Sequence, residues 1–205
     1  DINIQDFADR TLRSKLKEDD VHGEIGIVVV MEVKTGDVKA IVNLTRGEDG
    51  EYYEMKNNAV SDLWEHGSTF KTASIMVALE DGKINLNTVV NCAPGIVNMH
   101  GRNMKDHNWH KGGYKELKVE DILGQSSNIG VSTIIDNAYG SNPAAFVDGL
   151  RREGVGIPLN LPFVGKGEPI VPDPHSKKRY WSKPDLPWMS IGYVTMLPPI
   201  STLTF

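Results

Sequence analysis

The stretch GSTFKTASIMVALEDG, residues 67–82, decides how the rest of the chain is read. From Ser68 onward Ala73, Met76, Val77 and Glu80 keep helical spacing, and Asp81-Gly82 supplies a stop, so the pattern predicts a helix that begins at Ser68. Positions i and i+3 of an α-helix are separated by about 300° of rotation and roughly 4.5 Å of rise, so Ser68 and Lys71 are expected to touch on one face. A serine at a helix N-terminus has free N–H groups and the positive end of the dipole beside it, which favour an alkoxide and later an oxyanion. A lysine partly desolvated there has its pKa lowered and can act as a base.

Average residue usage yields roughly one S-x-x-K by chance in a chain of this length, and a second one exists. Ser14 and Lys17 lie in an amphipathic stripe, where both side chains are expected to point to water with no free N–H groups nearby. Only Ser68 follows a glycine at a helix start, which makes it the better nucleophile. The second chemical element is Ser126-Ser127-Asn128, the only S-x-N in the chain, set in a break between two apolar helices. On a bend, residues i and i+2 can project to the same side, giving a hydroxyl to relay a proton and an amide to hold a substrate backbone or the lysine. A serine or asparagine helix cap would produce the same triplet for purely structural reasons.

Outward from these motifs, Ile4, Ala8, Leu12 and Leu16 form the stripe of a helix. Ile25 to Val33 and Val38 to Leu44 are β-branched runs around a glycine-containing turn, a β-hairpin. Residues 45–52 and the approach through Asn57 and Asn58 to Gly67 are expected to be irregular, and residues 83–116 to be a long loop. Short and long helices are predicted at Val119 to Leu123 and from Ile129 onward, the latter with Val131, Ile134, Ile135 and Ala138 toward the core. Residues 154–190, dense in proline, read as extended or irregular chain.

Composition narrows the function. With 205 residues and 40% hydrophobic content the chain can bury a sizeable core, and a formal net charge of -5 lacks the positive excess that a phosphate backbone rewards. No basic cluster is longer than Lys177, Lys178, Arg179, so nucleic acid is not expected as a partner. The lone Cys92 reads as a small buried apolar residue. The longest apolar run, Ile25 to Val33, is far short of the roughly 20 residues that span a bilayer, and neither a signal peptide nor an anchor is visible. His100, His107, His110 and Asp106 have spacings too loose for a zinc site, and no metal or other cofactor is expected. A G-x-S-x-G elbow fails because Gly124-Gln125-Ser126-Ser127 is followed by Asn128.

S-x-x-K with S-x-N is a signature shared by β-lactamases and penicillin-binding proteins. Gly67-Ser68-Thr69-Phe70-Lys71 closely resembles the G-S-T-F-K of class B penicillin-binding proteins, and Gln125 to Gly130 resembles their S-S-N segment. Met31 to Ala40 looks like the family's first hairpin, Asn58-Ala59-Val60 like its approach to the nucleophile, and Ser190-Ile191-Gly192-Tyr193 like its S-x-G-Y stretch, so the resemblance covers nearly the whole chain. It departs at His66, where the family usually has proline, and at K-T-G, whose only occurrence is Lys34-Thr35-Gly36 in the hairpin turn, a decoy.

The resemblance implies an α+β, β-lactamase/transpeptidase-like fold, an antiparallel sheet with a helical subdomain, incomplete in this chain. Residues 1–205 are then a partial transpeptidase domain that ends before the third motif, with sheet edges expected to be open until further chain completes them. It further implies a D-alanyl-D-alanine transpeptidase on peptidoglycan stem peptides, acylated by β-lactams, with Ser68, Lys71 and Ser126 catalytic and Asn128 binding substrate. Partners in division or elongation, and an extracytoplasmic place at the cell membrane, belong to the same implication. A β-lactamase lacks support because no E-x-x-x-N follows Asn128, and a β-lactam sensor or non-catalytic scaffold is the alternative from another class.

Overall fold

A computed structural model describes residues 1–18, 20–158, 160–176 and 181–204, and the chain divides into two units. The basic run Lys177, Lys178, Arg179 lies outside the described residues.

The first unit is built from Asp1–Leu63 with Asn160–Glu168 and Pro198–Leu203. Its helix α1 spans Ile2–Leu16, two residues longer than the stripe suggested, because the Asp1 carboxylate accepts from the Asn3 and Ile4 amides and satisfies the first turn. Strands β1 (Ile25–Met31) and β2 (Val38–Arg46) pair antiparallel with Val28 opposite Val42, as the hairpin reading requires. The stretch read as a loop after β2 contributes a further strand, β3 (Tyr52–Tyr53), which pairs with the end of β2 to give the order β1-β2-β3. Among the described residues the outer edge of β1 has no strand partner.

Along β2 the side chains of Ala40, Val42 and Leu44 alternate into a core shared with Ala8 and Leu16 of α1, burial that stabilises the hairpin as a whole. Gly26 lets α1 come down on β1, since a Cβ there would lie 2.7 Å from Leu16 Cδ1. On the other face the buried Asn43 accepts from the Ala59 amide at 2.8 Å and donates to Asn57 Oδ1, which seats a one-turn helix, α2 (Asn58–Ser61), where irregular chain was expected.

The second unit, mainly Trp64–Leu159 and Pro169–Leu197, holds the larger core. It begins with β4 (Trp64–Glu65) and reaches α3 (Lys71–Glu80), which stops at Asp81-Gly82 with Gly82 at φ 63°. Residues 83–116, expected as a loop, instead carry β5 (Val89–Asn91), β6 (Ile96–Met99), β7 (Arg102–Lys105) and the start of β8 (Glu116–Lys118). The β6–β7 hairpin turns on His100 and Gly101, both at positive φ, the conformation a two-residue hairpin favours. The β5–β8 pair joins Val89 to Lys118 and Asn91 to Glu116, too distant in sequence for local patterning to reveal.

Helices α4 (Val119–Gly124) and α5 (Asn128–Tyr139) stand where their apolar spacing put them, with Ile122, Ile129, Val131 and Ile135 buried. An additional helix, α6 (Pro143–Arg152), follows; Asn142 ahead of a proline at the first helical position, with Phe146, Val147 and Leu150 on one face, was its legible signal. The proline-dense region is mostly irregular except for α7 (Asp185–Met189), and beyond it β9 (Met196–Leu197) pairs with β4. Cys92 is fully buried, as its bland reading expected.

Candidate active site

Gly67 takes φ 54° and turns the chain into a 3-10 turn, Gly67–Phe70, ahead of α3. The sequence pattern expected one continuous α-helix from Ser68, and the difference matters for reach. In a 3-10 turn residues i and i+3 eclipse with about 2.0 Å of rise each, which sets Ser68 in line with Lys71 at the start of α3. Phe70 is fully buried and pins the turn, while Ser68 and Thr69 are exposed.

The Lys71 ammonium does not donate to Ser68. It donates to the Ser126 carbonyl at 2.6 Å and to the Ser126 hydroxyl at 2.9 Å. Ser126 offers two acceptors together, and a cation takes the site that satisfies more of its donors. Among the described residues neither the Ser68 hydroxyl nor its amide has a hydrogen-bond partner. An exposed hydroxyl and an unused N–H therefore sit on one turn, one step before a lysine.

Lys71 itself is 2% exposed. Burial lowers its pKa to about 8, against the opposing pull of the Asp106 charge. An amine with that pKa is partly neutral near physiological pH and can accept a proton.

The Ser126 to Asn128 bend divides its work among three residues. After α4 the chain passes through Ser126 at φ 52°, with the Ser127 amide donating back to the Ile122 carbonyl. This left-handed residue presents the Ser126 hydroxyl to Lys71. Ser127, fully buried, is the helix cap: its hydroxyl accepts from the Gly130 amide at 2.9 Å and donates to Asp106 Oδ2 at 2.9 Å, and Asp106 Oδ1 accepts from the Ile129 amide at 3.0 Å. Capping and presentation thus coexist, on different serines. Asn128 opens α5, half-buried, and its Nδ2 donates to the Lys105 carbonyl at 2.8 Å, so the geometry gives it no bond to the lysine.

The S-x-G-Y stretch reaches the turn that carries Ser68. The Ser74 hydroxyl donates to the Ser190 carbonyl at 2.8 Å, and the Gly67 amide donates to the Gly192 carbonyl at 3.1 Å. A Cβ on Gly192, which has φ 85°, would lie 2.1 Å from the Gly67 carbonyl oxygen. This glycine is the buttress of the turn that carries Ser68, a role that no local sequence signal announces.

The other sequence candidates lie elsewhere. Lys34-Thr35-Gly36 occupies the exposed hairpin turn between β1 and β2, where the Gly36 amide donates to the Glu32 carbonyl. Ser14 is exposed in the last turn of α1 and Lys17 pairs with Glu51 at 2.8 Å. His100 bonds Asp136 at 2.8 Å, His107 packs edge-on against Tyr114, and His110 packs against Trp109. Among the described residues no three His, Cys, Asp or Glu side chains gather as a metal site.

Comparison with known proteins gives one answer. A family model described as the penicillin binding protein transpeptidase domain matches residues 26–198. Peptidoglycan D,D-transpeptidase FtsI of Escherichia coli strain K12 is 34% identical over 182 residues, covering 86% of this chain and 29% of the relative. The protein of that name in Buchnera aphidicola subsp. Schizaphis graminum is 28% identical over 98% of this chain and 34% of its own length. The chain thus spans about a third of the curated relatives it matches. Among solved structures, a protein described as a peptidoglycan glycosyltransferase from Burkholderia ambifaria superposes with TM-score 0.82 at 24% identity, over 98% of this chain and 57% of that one. The transpeptidase domain of penicillin-binding protein 3 from Burkholderia pseudomallei superposes with TM-score 0.81 at 23% identity, over 98% and 54%. These two likenesses show the α+β transpeptidase fold.

Proposed function

We propose a serine acyl-transfer role for this chain, which belongs to the penicillin-binding protein transpeptidase family. The observation that carries the reading is a buried Lys71, its pKa lowered to about 8, hydrogen-bonded to Ser126 and one turn beyond an exposed Ser68. The likeness to relatives named as D,D-transpeptidases supports peptidoglycan stem peptides as the substrate and β-lactams as substrate mimics.

In this mechanism neutral Lys71 takes the proton from the Ser68 hydroxyl as its oxygen attacks the carbonyl of the penultimate D-alanine. The bond to the terminal D-alanine breaks, and Ser126 passes the proton from Lys71 to the departing amine. The Ser68 N–H, unused among the described residues, is one donor for the oxyanion. Asn128 holds a peptide amide through its side-chain oxygen. An acyl ester remains on Ser68 until an amine of a neighbouring stem peptide displaces it. A penicillin acylates the same oxygen and leaves an ester that persists.

The match to about a third of the relatives' length supports placing this chain as the part of a transpeptidase domain that holds S-x-x-K and S-x-N. No helix among the described residues is long and apolar enough to cross a membrane. We infer an extracytoplasmic, membrane-associated site of action, because the stem peptides lie there, and partners among division or elongation proteins.

Labelling with fluorescent penicillin tests the assignment. In the full-length protein Ser68→Ala should abolish covalent labelling and Ser14→Ala should leave it intact. Labelling that survives Ser68→Ala would refute the nucleophile.

A further inference from the structure

Asp106 is 1% exposed and lies outside every motif that marks the site. Both of its oxygens are engaged by the Ser126 to Asn128 bend: Oδ2 accepts from the Ser127 hydroxyl at 2.9 Å and Oδ1 from the Ile129 amide at 3.0 Å. Its own amide donates to the Gly95 carbonyl, which ties this end of the β7 strand to the turn after Cys92. The carboxylate therefore closes a ring of bonds at the head of α5, on the positive end of that helix. Burying a carboxylate costs several kcal/mol unless it is paired and hydrogen-bonded, and here the Ser127 hydroxyl and the Ile129 amide supply those bonds.

Three groups feel this charge, Lys71 at the start of α3, the Cys92 thiol after β5 and Tyr114 before β8, while Lys105 and His107 flank it in the chain. Lys71 is the one cation of the three. It is also the group whose hydrogen bonds end on Ser126, next in the chain to the serine that Asp106 holds.

We propose that Asp106 is a positioning residue for acylation: through Ser127 and the Ile129 amide it fixes the bend that presents Ser126 to Lys71, and it supplies the buried counter-charge to the Lys71 ammonium. The inference rests on the serine acyl-transfer reading above. Two separable tasks follow. The hydrogen bonds set the geometry of the relay, and the charge sets how readily Lys71 gives up its proton; Asp106 opposes the loss of that proton while burial promotes it.

The two tasks separate in the rate of Ser68 acylation by fluorescent penicillin, measured against pH in the full-length protein. Asp106→Asn removes the charge, so the rise of rate with pH should move to lower pH by about half a unit or more, and the plateau should fall about tenfold as the bend loosens. Ser127→Ala keeps the charge and removes the hydroxyl's bonds to Asp106 and to the Gly130 amide, so its plateau should fall while its pH midpoint stays. A merely structural aspartate would lower the melting temperature in both variants and leave both midpoints where they were. An Asp106→Asn protein with the wild-type midpoint overturns the charge, and a Ser127→Ala protein with the wild-type plateau overturns the positioning; the latter remains decisive should Asp106→Asn fail to fold. Wild-type protein that is not labelled at Ser68 would instead defeat the acyl-transfer reading itself, so the two failures are distinguishable.

Discussion

The chain contains the same tetrad twice, and the two copies behave differently. Ser14 and Lys17 sit near the end of a regular helix, one exposed and the other paired with Glu51 in water. Ser68 and Lys71 straddle the junction of a 3-10 turn and an α-helix, where the serine is exposed and the lysine is almost completely buried. A lysine in water keeps its proton, whereas one that is 2% exposed has its charge destabilised by lost hydration. The tetrad is therefore only an address; on the proposed acyl-transfer reading, chemistry comes from burial of the second member with exposure of the first.

The strongest way to break this comparison is to delete both lysines in turn. Lys71→Ala should slow acylation by about 10²- to 10⁴-fold, the range expected for loss of a general base. Lys17→Ala should leave the rate unchanged and alter stability by no more than about 0.5 kcal/mol, as for an exposed ion pair. Stopped-flow penicillin binding and thermal unfolding read the two, and equal effects on acylation would erase the distinction.

The pH dependence sharpens it further. Lys71 has its pKa lowered to about 8, and in the proposed mechanism only the neutral amine accepts the Ser68 proton. The acylation rate should therefore climb about tenfold per unit below pH 8 and level off above it. A rate flat from pH 6 to pH 9 would remove Lys71 as the base.

A smaller effect contrasts two glycines. Gly192→Ala forces a side chain into a positive-φ position and against the Gly67 carbonyl, so the turn bearing Ser68 must shift, and acylation should fall about tenfold or more. Gly26→Ala meets the far ends of the Leu16 and Leu12 side chains, and should cost about 1 kcal/mol of stability with acylation unchanged. Urea unfolding alongside the binding assay separates the outcomes.

What could be read in the sequence follows the range of the interactions. The α1 stripe, the β1–β2 hairpin and the apolar face of α5 are set within a few residues and were legible. So were Ser68, Lys71, Ser126 and Asn128 as candidates. The β5–β8 pair was hidden because its strands are three residues each and meet across the chain. The 3-10 turn was hidden because Gly67-Ser68 reads equally well as the start of an α-helix, and the Lys71 bonds to Ser126 were hidden because their partners lie 55 residues apart. Asp106 drew notice only as a loose metal-ligand candidate, since its partners lie 21 and 23 residues further on. Helix α6 carried a plain signal in Asn142-Pro143 that the pattern reading passed over.

The most direct measurement is mass spectrometry of the intact full-length protein after exposure to penicillin, followed by digestion to locate the adduct. The account expects one penicilloyl group per chain, on the peptide that contains Ser68. An unmodified protein, or an adduct carried by any other residue, would contradict it.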